Sequence, residues 1–423
     1  GFLRNLRNCN ILGVNPPVQD FAFFDLWAKP LGLLYILETL RQQGNNVALL
    51  DCISEAGGKR KPFGRVAPAK KLISKPEPYE KIPRKFYHFG IDKENFLSRL
   101  KGSSPDIILV TSMMTYWYPG VFWAISILKE VFPKVPVMLG GVYARLCPEH
   151  ARKSGADMIQ TAPLDLELTL PSTTLYSGQG YAVSLTSFGC PMNCGYCASS
   201  FLWPVYRART VEEVTAEIRY QTESGAIHDT AFYDDALLMD RESHFYPLCE
   251  NLRRDFPTMR FHTPNGLHVR MIDPTCARVL KNTGFITLRL SFEGTDKTLR
   301  KIQGEKTDLD SFASAVDNLR SSGFNNDEIE TYILLGLPGQ RLEAMEENIR
   351  TVKDFGVKVK TAQYSPIPQT RVFEEAALIT PEIRKEPMLH NNTVFSSYVS
   401  RIIDPDALQH LKNLARSSSR SSG

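Results

Sequence analysis

No apolar run in the 423 residues approaches the roughly 20 that a membrane-spanning helix needs. The opening Gly1-Phe2-Leu3-Arg4 lacks the apolar core of a secretory signal, and it lacks a Met. Charge is close to balanced: 50 Lys and Arg against 46 Asp and Glu leave a net +4, too little to argue by itself for a nucleic-acid partner. Cysteine is scarce, at 8 residues, and nothing marks the chain as secreted, so a disulfide framework is not expected. These absences point to a reducing, cytoplasmic setting without a membrane partner. What remains is an ordinary globular composition, 43% hydrophobic and 23% charged, with length enough for two or three domains. The Ser-rich end at 417–423 is expected as a flexible tail.

The first 160 residues alternate short apolar strands with helices. Strands are expected at Asn10–Val14, Val47–Asp51, Asp106–Val110 and Val135–Leu139, and helices at about Pro30–Gln43 and Val121–Val131. Pro30 at the start of the first helix and Gly44 just past its end fit the usual asymmetry of helix termini. Such repeats imply an α/β, Rossmann-like domain over 1–160, its parallel sheet covered on both faces. Ligands of such sheets bind at the carboxyl ends of the strands. The insertion at 52–105 is basic from Lys59 to Lys85, holds several prolines and shows little periodicity. It is expected either as a solvated loop or as a lid or grip for an anionic substrate.

Residues 161–180 read as a linker. From 181 to 370 a strand-then-helix unit recurs. Strands are expected near Ala182–Thr186, Thr230–Tyr233, Arg260–Thr263, Ile286–Leu290, Ile329–Leu334 and Val359–Tyr364. Helices are expected near Val211–Thr222, Arg241–Arg254, Pro274–Asn282, Leu309–Ser322 and Arg341–Asp354. A less regular extension, 371–416, follows.

Three cysteines fall within Gly189-Cys190-Pro191-Met192-Asn193-Cys194-Gly195-Tyr196-Cys197. The CxxxCxxC spacing suits three corners of one [4Fe–4S] cube, leaving an iron without a protein thiolate and open to a ligand. Gly189 and Gly195 are expected to let the loop turn tightly. Structural zinc is the rival, but it wants four ligands in paired short spacings. No second CxxC is present, and the next histidine is His228, beyond an expected helix. The motif resembles that of the radical S-adenosylmethionine (SAM) superfamily, including the aromatic Tyr196 before the last cysteine. The resemblance implies that Cys190, Cys194 and Cys197 hold the cluster and that its open iron chelates SAM. It further implies that an electron splits the sulfonium to a 5′-deoxyadenosyl radical, and that an external flavodoxin- or ferredoxin-type donor supplies that electron. It also implies a partial (β/α)6 barrel over 181–370, with the cysteine loop at the mouth where barrel enzymes keep their sites.

The N-terminal strand ends carry a second resemblance. Ser112 follows the third strand and Gly140-Gly141 the fourth, which is similar to the cobalamin-binding domains that precede many radical SAM barrels. That resemblance implies contacts from Ser112, Gly140 and Gly141 to the nucleotide tail of cobalamin. The first-strand loop departs from the best-known pattern: it has no Asp-x-His-x-x-Gly, so no histidine there reaches cobalt. The alternative is a domain of this shape that serves as a packing platform. Trp117, in Tyr116-Trp117-Tyr118, reads either as a cover for a flat macrocycle or as core. Cys249 and Cys276 read as core. Cys52 and Cys147 follow the second and fourth strands, with no cluster-like spacing between them.

Around the cysteine loop, the radical SAM resemblance assigns an acceptor for the SAM ammonium to Asp235, or else Asp234. Either carboxylate also suits a helix N-cap. Alternation in Thr287–Gly294 puts Arg289, Ser291 and Glu293 on one face. The resemblance matches Arg289 to the SAM carboxylate and Ser291 and Glu293 to the ribose; an internal Arg289–Glu293 pair is the alternative. By the same resemblance Gly336 packs on the adenine and Gln363 meets the ribose or a carboxylate. The segment Thr263–Arg270 is expected to meet substrate, with His268 as a general acid or base.

The reading is a cobalamin-dependent radical SAM methyltransferase that methylates an unactivated carbon of a small-molecule or natural-product substrate, its active site at the domain boundary. One rival is a radical SAM rearrangement, cyclisation or ring contraction without methyl transfer. Another is a non-catalytic metal-binding redox sensor, or a nucleic-acid binder using the 59–85 run.

Overall fold

In the computed structural model, residues 2–23, 27–164, 170–176, 178, 180–223, 225–294, 299, 302 and 307–417 are described. The tail 418–423 and parts of 161–180 lie outside them. The chain divides into two units. One comprises Gly1–Tyr181, Tyr220–Ile227 and Lys385–Leu389; the other holds Ala182–Arg219, His228–Arg384 and His390–Gly423.

The first unit contains β1 (Asn10–Asn15), β2 (Val18–Asp20), β3 (Asn46–Asp51), β4 (Gly58–Arg60), β5 (Val66–Pro68), β6 (Lys70–Ile73), β7 (Phe86–Phe89), β8 (Ile107–Val110), β9 (Val137–Leu139) and β10 (Met158–Ile159). Its main sheet is parallel, in the order β10-β9-β8-β1-β3. The run Ile107-Ile108-Leu109-Val110 is wholly buried, as a central strand with both faces covered requires. Ile11, Leu37, Leu40, Leu109 and Met138 form the core beside the helix Leu31–Gln42. Strand order reverses between β1 and β8, so the binding crevice of such a sheet falls at Asn15 and Thr111–Ser112. Rossmann-like architecture is what the sequence leads one to expect.

The basic insertion differs from expectation, because most of it is folded. β4 pairs with β5, and β6 joins β7 and β2 in an antiparallel sheet. Its anchors are Tyr79 and Phe86, both packed edge-on to Phe21 or tilted against it. The charge of the segment masked these aromatics, and its prolines bound the strands rather than dissolving them. Residues 161–180 also differ from a linker. Ser172 is buried, its N–H donates to the Leu34 carbonyl of the first helix (2.9 Å) and its hydroxyl donates to Glu38 (2.7 Å), while Tyr176 donates to Asp51 (2.8 Å).

The second unit contains β11 (Ala182–Ser184), β12 (Ser187–Phe188), β13 (Arg207–Ala208), β14 (Asp229–Phe232), β15 (Arg260–His262), β16 (Leu267–His268), β17 (Phe285–Glu293), β18 (Ile329–Leu335) and β19 (Lys358–Gln363). The parallel path is β11-β14-β15-β17-β18-β19, with β16 beside β17. Helices Val211–Thr222, Tyr246–Asp255, Pro274–Thr283, Leu309–Ser321 and Leu342–Asp354 separate the strands. This is a partial (β/α)6 barrel. Leu288, Leu290, Ile333 and Leu335 face those helices in the main core. By alternation, Arg289, Ser291, Glu330 and Tyr332 face the interior.

The extension beyond 370 is more regular than expected. Its helix Pro405–Arg416 takes the place of the helix after β19, burying Leu408 and Leu411 in the same core. Lys353 on the preceding helix donates to the Leu414 carbonyl (2.8 Å). Among the described residues, no helix is long and apolar enough to cross a membrane.

One ion pair anchors the first barrel strand from behind. Arg209 and Glu217 are almost fully buried, 2.8 Å apart. Ser184 of β11 donates to Glu217 (2.6 Å), and Arg209 donates to the Leu185 carbonyl (2.9 Å). Removing one member strands a buried charge. Arg209→Ala should therefore cost about 3–5 kcal/mol in chemical denaturation; a loss under about 1 kcal/mol would contradict this.

Candidate functional site at the barrel mouth

The cysteine loop begins where β12 ends and returns along β13, an antiparallel rung with Ser187 opposite Ala208. The loop is thus held at its base by a short ladder on the carboxyl side of β11. A carboxylate fixes that base. Asp234, at the end of β14, is buried and accepts from the Thr186 N–H (3.0 Å), the Thr186 hydroxyl (2.7 Å), and the Ser187 N–H and hydroxyl (2.8 Å each). Burial nonetheless holds its carboxyl above the usual range, against those donors.

The two loop glycines serve different ends. Gly189 has φ +81°, a left-handed turn that favours glycine. Gly195 is not left-handed. A Cβ there would stand 2.7 Å from the Arg371 guanidinium, and its backbone is bonded both to the Ile302 carbonyl and from the Val372 N–H. At Gly195 it is the close approach of the Arg371 side chain, not a left-handed turn, that favours glycine.

The cysteines form no disulfides. Cys194 is buried, and Cys197 is exposed as a residue. Burial of its sulfur first, then the charges of Asp235, Cys194 and Cys190, push the Cys197 thiol up to about 12, against an N–H from Ser199. The Cys197 sulfur is thus within electrostatic reach of Cys190, Cys194 and Asp235. Among the described residues, no three His, Cys, Asp or Glu side chains gather as around a single ion.

Four donor groups of Thr186 and Ser187 fall on Asp234, which makes it an anchor for the loop. Asp235 accepts from the Ser199 hydroxyl, and the Ser199 N–H in turn lies 3.5 Å from the Cys197 sulfur. Burial raises the Asp235 carboxyl, opposed by Ser199.

Inside the barrel, Arg289 pairs with Glu330 on β18 (3.3 Å), not with Glu293, and donates to the Pro264 carbonyl (2.9 Å). Lys360 on β19 shares the same Glu330 (3.2 Å). Arg289 is thus engaged within the protein, and Glu330 has a second cationic partner in the exposed Lys360. Ser291 donates to Glu293 (2.7 Å), which also accepts from Tyr196 of the cysteine loop. Deeper down, His262 bridges Asp229 (2.8 Å) and the Thr287 hydroxyl (2.6 Å).

Other assignments change. Gly336 has φ +82°, and the space a Cβ would take is filled by Ser396 and Ile403 of the C-terminal segment, not left open toward a ligand. The Gln363 amide, oriented to satisfy both ends, donates to the Asn392 carbonyl and accepts from Lys412 (3.2 Å each), so it serves the outer helix instead of the interior. Much of Thr263–Arg270 is bonded internally: Asn265 to the carbonyls of Tyr233 and Asp234, Arg270 to Asp308. His268 pairs in register with Ser291, and Leu267 faces the helices, so His268 faces inward.

In the first unit, Ser112 and the glycine pair come together. The Ser112 hydroxyl donates to the Gly140 carbonyl (2.6 Å) and accepts from the Ala144 N–H (3.3 Å). Gly141, at φ +95° and ψ −170°, is in a region open essentially to glycine alone, and a Cβ would strike the Ser112 backbone. At Gly140 a Cβ would meet only Gln160, at 3.6 Å. Trp117 is core: its indole N–H donates to buried Asp20 (2.8 Å) and its ring stacks on Phe23. Cys52 is fully buried, and burial pushes Cys147 up to about 12.

Sequence reasoning missed Glu330, Lys360, Asp229 and His262. The alternation Ile329-Glu330-Thr331-Tyr332-Ile333 was a signal for the first of these. Arg209 and Glu217 left no signal, because one sits on a rung and the other on a helix.

Two outcomes follow from this geometry. Gly141→Ala should destabilise the first unit by about 2 kcal/mol or more in urea, while Gly140→Ala stays within about 1 kcal/mol; equal effects would contradict the packing. Burial opposes ionisation of Asp229, yet bonds and charge from His262 and Arg260 hold its carboxyl below the usual range. That stabilisation is full above the unfolded value of about 3.9 and is lost as pH falls through the folded one. Asp229→Asn should weaken the fold at pH 7 and flatten its acid sensitivity below about pH 4; an unchanged acid-unfolding curve would contradict this.

Residues 184–352 match the Radical SAM superfamily model. An uncharacterized methyltransferase of Pyrococcus horikoshii is 23% identical over 256 residues, covering 56% of this chain and 54% of that protein. The chain thus spans about half the length of that relative. Among solved structures, the radical SAM methyltransferase TsrM from Kitasatospora setae, with tryptophan and a SAM analogue bound, has a TM-score of 0.64 at 15% identity, covering 87% of this chain and 76% of that one. The cobalamin-dependent SAM radical enzyme OxsB, with aqua-cobalamin and SAM, has a TM-score of 0.57 at 13% identity, covering 89% and 56%. At these identities the likeness is one of fold. Residues 184–352 are thus similar to the Radical SAM superfamily, in a chain whose fold is like that of the solved TsrM and OxsB structures.

Proposed function

We propose that the chain is a radical SAM enzyme, holding a [4Fe–4S] cluster on Cys190, Cys194 and Cys197 and cobalamin in its N-terminal unit, that methylates an unactivated carbon of a small-molecule or natural-product substrate. The observation that carries this reading is a loop with three cysteines in CxxxCxxC spacing, none in a disulfide, at the carboxyl end of the first strand of a parallel barrel. When bound, the cluster supplies the electron that splits SAM into methionine and a 5′-deoxyadenosyl radical, and cobalamin supplies a methyl carrier. An external flavodoxin- or ferredoxin-type protein is the proposed electron source, in a reducing cytoplasmic setting.

The chain's own residues do the holding and orienting. Cys190, Cys194 and Cys197 would ligate the cluster as thiolates, their protons released to solvent on metal binding. Asp234 fixes the base of their loop. Asp235, at the same strand end, would accept from the SAM ammonium. Arg289, which pairs with Glu330, would meet the SAM carboxylate. In the first unit, the open side of Gly140 beside Ser112 gives backbone approach to a bulky tail.

The test is anaerobic reconstitution with iron and sulfide, then turnover with SAM and a reductant. S-adenosylhomocysteine formed together with 5′-deoxyadenosine supports methylation. The deoxynucleoside alone would move the reading to rearrangement, cyclisation or ring contraction, and neither product would move it to a non-catalytic protein. Cys194→Ala should reduce SAM cleavage to background; surviving cleavage would place the cluster elsewhere.

A further inference from the structure

Tyr196 lies between two of the loop cysteines, and its hydroxyl donates to Glu293 at the end of β17. The same phenol also meets the Cys194 side chain. Glu293 is built for this position. It has φ +68°, a left-handed conformation that a glutamate rarely adopts, and the register with β18 shifts between Ser291 and Glu293. Such a bulge re-aims a side chain, and strain of this kind persists where the surroundings over-determine it. The other carboxylate oxygen is occupied by the Ser291 hydroxyl (2.7 Å). Gly294, at φ +143°, packs so closely on Asn348 that no side chain fits, which locks the end of the strand.

We propose that Glu293 is a positioning residue for the cysteine loop: through Tyr196 it straps Cys194 to the fourth barrel strand and so sets the orientation and hydrogen bonding of the cluster's sulfur. This assigns the carboxylate to the protein's own loop, in place of the ribose hydroxyls expected from the sequence. The consequence for the cluster rests on the function proposed above. The strap itself does not.

The experiment therefore has two arms. In metal-free protein, the rate of Cys194 alkylation by iodoacetamide is mapped by mass spectrometry, with circular dichroism as the check on folding. Tyr196→Phe and Glu293→Ala should each raise that rate about fivefold, the effect of one lost hydrogen bond. Glu293→Gln, which keeps an acceptor oxygen, should lie nearer the wild type. The double variant should equal either single one. In iron-loaded protein, both single variants should shift the cluster midpoint potential in the same direction, since hydrogen bonding at the sulfurs sets it. A Tyr196→Phe variant with wild-type alkylation and potential, beside a Glu293→Ala variant that loses only SAM affinity, would overturn the strap and return Glu293 to the ribose. Failure of the wild type to take up iron would sink the proposed function, while the metal-free arm would still decide the strap.

Discussion

A carboxylate buried at the end of β14 decides where the cysteines are. Asp234 gathers the N–H and hydroxyl groups of Thr186 and Ser187, the residues through which the first barrel strand passes into the cysteine loop. Without it, four polar groups would be left unpaired in a dry environment, a cost of kilocalories for each buried group. The anchor is reinforced from behind by Arg209 and Glu217, which fix Ser184 and Leu185 on the same strand. A loop meant to present thiols needs such a base, because a misplacement of even an ångström is expensive in rate.

The barrel interior above that base is polar and mostly self-satisfied. Asp229 with His262 and Arg260, and Glu330 with Arg289 and Lys360, form separate charge groups on neighbouring strands. The first group ties β14 to β15, and the second ties β17 to β18 and β19, with two cations on the one carboxylate of Glu330. In the other unit, the small residues at the strand ends have unequal reasons. Gly141 is dictated by backbone packing on Ser112, whereas Gly140 is dictated by nothing in the protein.

Much of this was legible in the sequence, and the rest failed for identifiable reasons. Apolar runs such as Ile107–Val110 and the strand-then-helix rhythm after 181 depend on burial, which composition records directly. Alternation placed Arg289, Ser291 and Glu293 on one face, and they do share it. The partners went wrong, because Glu330 is set by sheet register, which a single sequence does not display. The insertion at 52–105 was misread because its charge drew attention from Tyr79 and Phe86. Gly336 and Gln363 were read as facing a ligand, but a C-terminal segment distant in sequence covers them.

The most direct measurement is elemental analysis of the anaerobically reconstituted wild-type protein, with its electron paramagnetic resonance spectrum recorded before and after SAM is added. The account requires four irons and four sulfides per chain and a reduced-cluster signal that changes when SAM binds at the open iron. Zinc in place of iron, or a cluster signal indifferent to SAM, would contradict it.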